Sequence, residues 1–254
     1  MLRVFLASFA FHLKTLTLSS FFVLITVLQP LIFASIAFYI WRAGERPGAL
    51  LYAALGAGLM GIWSATLFGS GGAIQWQRWQ GTLESLIVAP VPFVVVLVSI
   101  TLATSTIGLY ALGGTLLWGR LLFGVPLELE HPLLFLLALP ATVVSLGLLG
   151  LLLSSTFVLY RNANALSNLL EYPVWLITGL LVPVSLLPGW VSPISWLIAP
   201  TWGVRAIREA ALGGDPLAAI GMCTVLGAVY LLLGIVFLRL FERLARERAS
   251  LSLT

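Results

Sequence analysis

Charge is the scarcest property of this sequence. Only 9% of the 254 residues are Asp, Glu, Lys or Arg, against ~25% in a typical soluble domain. With 60% apolar residues and a mean hydropathy of +1.09, the chain belongs in a bilayer. Cysteine is nearly absent. Cys223 stands alone, so no internal disulfide forms, and one thiol says nothing about compartment. No basic block stands away from an apolar run, so the formal net charge of +4 reflects membrane topology and not nucleic-acid binding.

Chemistry-bearing motifs are also missing. The chain has no H-E-x-x-H, no G-x-S-x-G and no acidic cluster, which argues against an intramembrane hydrolase or metal enzyme. His12 and His131 fall on opposite sides of the membrane and cannot share a metal. No G-x-x-x-x-G-K-[ST] loop is present, so ATP is not bound through a P-loop here. No internal repeat of the kind common in secondary transporters is visible.

What the chain does have is apolar runs long enough to compare with the ~20 residues that cross a bilayer. The expected fold is an all-α integral membrane protein, one transmembrane domain over 1–254. Spans are expected at 18–40, 50–68, 93–118, 132–160, 166–186 and 217–240, with Pro140 as a kink in the fourth. The uncharged run 172–204 exceeds one span but falls short of the ~40 residues that two would need. It also holds Pro173, Pro183, Pro188, Pro193 and Pro200. The preferred reading ends the fifth span near 186 and lets 187–204 dip into the membrane and return. Such backbone is tolerated only where protein or trapped water covers it. The competing reading is a surface loop anchored by Trp190, Trp196 and Trp202.

Six spans put both termini on one side. Arg3, Lys14, Arg78, Arg161, Arg239, Arg243, Arg246 and Arg248 share that side, against Arg42, Arg46, Arg120, Arg205 and Arg208 on the other. The basic excess marks the first side as cytoplasmic. Residues 1–17 carry Arg3, Ser8, His12 and Thr15 at near-helical spacing, with Leu2, Phe5, Leu6, Phe9 and Leu13 opposite. They read as an amphipathic helix in the inner interface. A cleaved leader is disfavoured, because the following apolar run exceeds the ~7–15 residues of a signal core.

Between the second and third spans, residues 75–92 read Q-W-Q-R-W-Q-G-T-L-E-S-L-I-V-A-P-V-P. Gly81 breaks the preceding helix. Thr82 suits an N-cap, and Glu84 then lies in a first turn where the helix dipole favours an anion. Leu83, Leu86 and Ile87 share one face, and Pro90 and Pro92 close the segment. The alternative is a loop with a chance helical turn. Glu171 is the one acidic residue near the start of a span, a functional candidate by default. The preferred reading sets it instead at the headgroup level beside a basic group, since Arg161 marks the boundary shortly before. Small residues such as G-A-G-L-M-G at 56–61 permit close helix packing.

Together these features resemble the type-2 ABC exporter (ABC-2 type) permeases, the class that exports drugs, lipids and polysaccharides. The resemblance rests on R-W-Q-G-T-L-E-S-L-I-V-A-P at 78–90 and on the proline-spaced stretch 179–205, G-L-L-V-P-V-S-L-L-P-G-W-V-S-P-I-S-W-L-I-A-P-T-W-G-V-R. It rests also on six spans behind an amphipathic first helix, which covers nearly the whole chain. Gln75, Gln77 and Gln80 depart from it, standing where charged residues are common.

The resemblance implies a transport subunit and not an enzyme, in a bacterial-type plasma (inner) membrane. Two permease copies would pair, as a homodimer or heterodimer. Separate ABC ATPase subunits would bind ATP and magnesium, leaving no cofactor in this chain. Arg78, Gly81, Thr82, Leu83, Glu84, Leu86, Ile87 and Pro90 would form a coupling helix. Pro183, Pro188, Trp190, Pro193, Trp196, Pro200 and Arg205 would belong to an outer gate. Uncharged spans argue against bare ions and favour an amphipathic drug or lipid-like substrate. A lipid-linked glycan is the alternative, with the tryptophans as its support. Outside the class, a secondary transporter or channel, or an assembly protein, stays open.

Overall fold

A computed structural model describes residues 1–42, 49–81, 85, 90–157 and 163–248. Among these, the chain forms ten α-helices and one short 3-10 turn. They are α1 (Leu2–Leu18), α2 (Ser20–Arg42), α3 (Ala49–Trp79), α4 (Phe93–Ile107) and α5 (Leu109–Phe123). Then follow α6 (Pro132–Phe157), α7 (Ala163–Ile177), the turn Val184–Leu186, α8 (Val191–Trp196), α9 (Ala199–Leu212) and α10 (Pro216–Arg248). In hydrocarbon every backbone N–H and C=O must be satisfied within the chain, so long apolar runs become helices.

Four helical stretches are long and apolar enough to cross a membrane: Leu50–Gly72, Phe93–Phe123, Pro132–Thr156 and Pro216–Leu240. Thr26–Tyr39 in α2 is a shorter apolar helix. The protein is therefore an all-α, multi-pass membrane protein. Ser19 separates α1 from α2 in extended conformation, and its Oγ accepts the Phe22 N–H at 3.4 Å, capping the new helix. α1 packs along α4, where Ser99 Oγ donates to the Phe5 carbonyl at 3.3 Å.

α3 is the centre of the bundle. Its apolar window is 89% buried, against 33% for that of α10, and it touches α2, α4, α5, α6, α7 and α9. The small residues at 56–61 allow this: a Cβ on Gly58 would stand 2.7 Å from Leu112 Cα, and one on Gly61 would overlap Ala111. Hydroxyls join the same helices, with Thr66 Oγ1 and Ser105 Oγ at 2.8 Å and Ser154 Oγ donating to the Ser70 carbonyl at 3.1 Å. α10 turns Val225, Val229, Leu232, Leu233 and Val236 outward, as a surface in contact with lipid requires.

The sequence expectation of a span over 166–186 is corrected here. α7 ends at Ile177, because Gly179 takes φ +84 and Pro183 cannot continue a helix. Over its described residues α7 is ~22 Å long.

α9 runs antiparallel to α6, wedged against α10 and α3. Its last turn meets the start of α6, where Glu130 N–H and His131 N–H donate to the Ala211 and Ala210 carbonyls at 3.2 and 3.0 Å. Farther along, a Cβ on Gly203 would meet Thr142 Cγ2 at 2.5 Å. At its first residue, Ala199 N–H donates to Tyr230 Oη at 3.1 Å, and Tyr230 Oη donates to the Leu197 carbonyl at 2.7 Å. Tyr230 lies fourteen residues into α10, ~21 Å along its axis.

Candidate functional site

The polar stretch expected to carry force begins where α3 leaves the apolar belt. The apolar window closes at Gly72 but the helix continues to Trp79, a projection of ~10 Å. Arg78 lies in its last turn. Gly81 follows at φ +66, a left-handed conformation that suits glycine and ends a helix. The sequence reading of Gly81 as a breaker thus matches the observed helix end. Thr82, Leu83, Glu84, Leu86 and Ile87 lie outside the described residues. Ser85 is helical and exposed, and Pro90 is exposed at the turn into α4.

In the proline-spaced stretch each proline shapes backbone. Pro183 opens the 3-10 turn, the Pro188 carbonyl accepts from Val191 N–H at 2.9 Å, Pro193 sits in α8, and Pro200 in the first turn of α9. Trp190 and Trp196 are exposed, whereas Trp202 is buried. Trp202 Nε1 donates to the Trp196 carbonyl at 2.8 Å, and the two rings meet edge-on at 5.2 Å. Arg205 stacks over Trp202 at 5.7 Å and pairs with Glu209 at 2.7 Å. The fold therefore gathers Trp196, Trp202 and Arg205, and leaves Trp190 apart from them.

Arg208 was visible in the sequence only as one of the basic residues used for topology. The fold makes it the anchor of the end of α7. Its Nη1 donates to the Gly179 carbonyl at 2.6 Å and its Nη2 to the Leu180 carbonyl at 3.0 Å and the Tyr52 carbonyl at 3.4 Å. The guanidinium also lies 3.5 Å over the Tyr52 ring. A helix C-terminus carries partial negative charge, and an aromatic face attracts a cation, so the buried charge is compensated without a carboxylate. One signal was available: an arginine two residues into the A-I-R-E-A-A run, where only it and Glu209 are charged.

Glu171, expected at the headgroup level beside a basic group, is 3% exposed and stands eight residues into α7. Its Oε1 accepts from Ser64 Oγ at 2.5 Å and from Gln29 Nε2 at 3.4 Å. No basic group pairs with it among the described residues; the ion pair found there is Arg205–Glu209. Arg161, the expected partner, lies outside the described residues. The sequence reading set Glu171 near the start of a span beginning at 166, whereas α7 is already formed at Ala163.

His12 sits in α1, outside the candidate spans, where burial holds its pKa below the usual imidazole value. Among the described residues no group of three His, Cys, Asp or Glu side chains is placed to hold a metal.

A model of the family described as ABC-2 type transporter matches residues 3–212 of the chain. No curated protein matches it.

Proposed function

Because the chain belongs to the ABC-2 type transporter family, we propose that it is the permease subunit of an ATP-driven exporter of an amphipathic drug or lipid-like molecule. The family's membrane proteins are transport permeases and not catalytic subunits, and they pair with ATPase subunits and form dimers. For this chain the pairing is with a second permease, of the same or a different kind. The ATPase subunits dock at the end of the bundle that carries Gly81.

The observation that carries this reading is the projection of α3. The ~10 Å of helix beyond the apolar window supports a reading in which Gly81 and the polar stretch 75–92 are within reach of a soluble partner. A helix there, capped by Thr82 with Glu84 in its first turn, transmits the push of ATP-driven closure into α3 and α4. Six crossings follow if α2 and α7 are counted with α3, α4–α5, α6 and α10, with both termini cytoplasmic in a plasma membrane. The bonds of Tyr230 to Leu197 and Ala199 support a segment 187–204 that descends and returns through α9. The exposed Trp190 and Trp196 belong to its outer gate.

The test is transport in vesicles that contain the permease and the ATPase that co-purifies with it. ATP should drive an amphipathic dye across the membrane, and dissipating ion gradients should leave the rate unchanged. Transport that follows an ion gradient and ignores ATP would make the protein a secondary transporter instead.

A further inference from the structure

Glu171 is a buried carboxyl group with, among the described residues, nothing of opposite charge beside it. Gln29 lies nine residues into the 23 of α2, Ser64 fifteen into the 31 of α3, and Glu171 eight into the 15 of α7. All three therefore stand near the middle of their helices, away from the helix ends, and an ionisable group inside a membrane bundle is a functional candidate. Ser64 and Gln29 are neutral donors, and both address Oε1, so among the described residues Oε2 has no partner.

The cluster has an aromatic wall. Trp175, one turn above Glu171, meets Phe33 of α2 edge-on at 5.1 Å and Tyr172 at 5.1 Å. Phe33 itself stands one turn from Gln29. The cluster also has an open side, because Gln29 is half-buried and Asn168, Tyr172 and Pro173 on the neighbouring face of α7 are exposed. Asparagine, glutamine and a carboxylate edge would be expensive against lipid tails. That side is therefore better suited to protein or a wet passage than to the bilayer.

We propose that Glu171, with Ser64 and Gln29 holding its carboxylate and Tyr172, Trp175 and Phe33 around it, is a binding site for an organic cation. The ligand class is an amphiphile whose polar head is an amine or quaternary ammonium. The carboxylate supplies the counter-charge and the rings supply faces that attract a desolvated cation. This narrows the substrate class of the exporter reading and rests on it for the direction of transport, but not for binding. Arg208 does not compete for the role, since it is itself a cation whose Nη1 and Nη2 donate to carbonyls beside the Tyr52 ring.

The test is binding of three fluorescent amphiphiles with one tail and different heads, quaternary ammonium, neutral and sulfonate, to the full permease in lipid nanodiscs. A quaternary head keeps its charge at every pH, so proton uptake is not confused with recognition. The cation should bind at least about tenfold tighter than the neutral probe, the worth of one desolvated cation–π contact. Glu171→Gln should bring the ratio of the two affinities to about one, and Glu171→Asp should restore part of it. Parent protein that binds the cation no better than the neutral probe, or binds neither, overturns the proposal. So does a Glu171→Gln protein that keeps the preference, or that loses both probes equally while Glu171→Asp does the same, which is the pattern of a purely structural carboxyl. No ATP enters the assay. Charge preference without ATP-driven export would therefore count against the exporter reading and not against this site.

Discussion

Gly56 and Arg208 occupy one space. A Cβ on Gly56 would stand 2.6 Å from Arg208 Nη2 and 2.6 Å from the Leu180 carbonyl oxygen. The guanidinium reaches the end of α7 only because α3 has no side chain at that point. Gly56→Ala should therefore push the guanidinium off its carbonyls and cost about 1–3 kcal/mol, the usual penalty of overpacking. Gly72→Ala is the control: nothing lies within 4 Å of that position, and alanine in a helix gains about 0.5–1 kcal/mol over glycine. Thermal unfolding of the two purified variants compares them. Equal effects would mean that Arg208 shifts without penalty.

Gly81 is constrained by backbone and not by neighbours, since its φ is +66 and no atom lies within 4 Å of a Cβ placed there. Proline fixes φ near −65°, so Gly81→Pro must redirect the chain as it leaves α3. On the proposed reading of a helix opening at Thr82, Glu84→Lys places a cation where the helix dipole disfavours one. Both variants should insert and accumulate like the parent, because the spans bury far more apolar area than this turn. Both should lose export and either uncouple or release the ATPase. Co-purification and transport measured in the same membranes decide the matter, and normal transport by both would remove the coupling role.

Tyr230 holds the turn between α8 and α9 by two bonds. Tyr230→Phe leaves the Leu197 carbonyl and the Ala199 N–H without their partner, a cost of about 1–3 kcal/mol, while Tyr110→Phe on the exposed surface should change little. Cysteines at Ile194 and Leu197 extend the test. Both residues are exposed on the single chain, at 44% and 71%, so any shielding from a water-soluble thiol reagent in intact membranes comes from lipid or a partner. Shielding at both with Gly213 open is the expected pattern, and uniform labelling along 188–200 would favour a loop flat on the surface.

Orientation has its own check. Cys223 is fully buried and is replaced first. Cysteine at Glu128 or Asp215, both exposed, should react with an impermeant reagent from outside intact cells, and cysteine at Gln80 should not. Labelling of Gln80 from outside would invert the topology and detach the polar stretch from any cytoplasmic ATPase.

The sequence by itself determined whatever depends on a short window of chain. A long uncharged run without closely spaced prolines becomes a helix in lipid because its backbone must be satisfied within the chain, so α3, α4–α5, α6 and α10 were legible from composition. The break at Gly81 was legible too, because a left-handed residue is a local preference of glycine. The end of α7 at Ile177 was misplaced, since Gly179 and Pro183 lie inside an apolar run that by hydropathy alone continues. The environments of the charged residues were decided only by tertiary structure. Ser64 is 107 residues from Glu171 and Gln29 is 142, and nothing in the α7 sequence says which helix will face it. Arg208 depends likewise on Gly56 of α3 and on carbonyls 28 and 29 residues away. Helix formation is local because its hydrogen bonds close within one turn. The register between helices is set by how side chains and gaps interlock across the bundle, and that register chose which polar groups met at its centre.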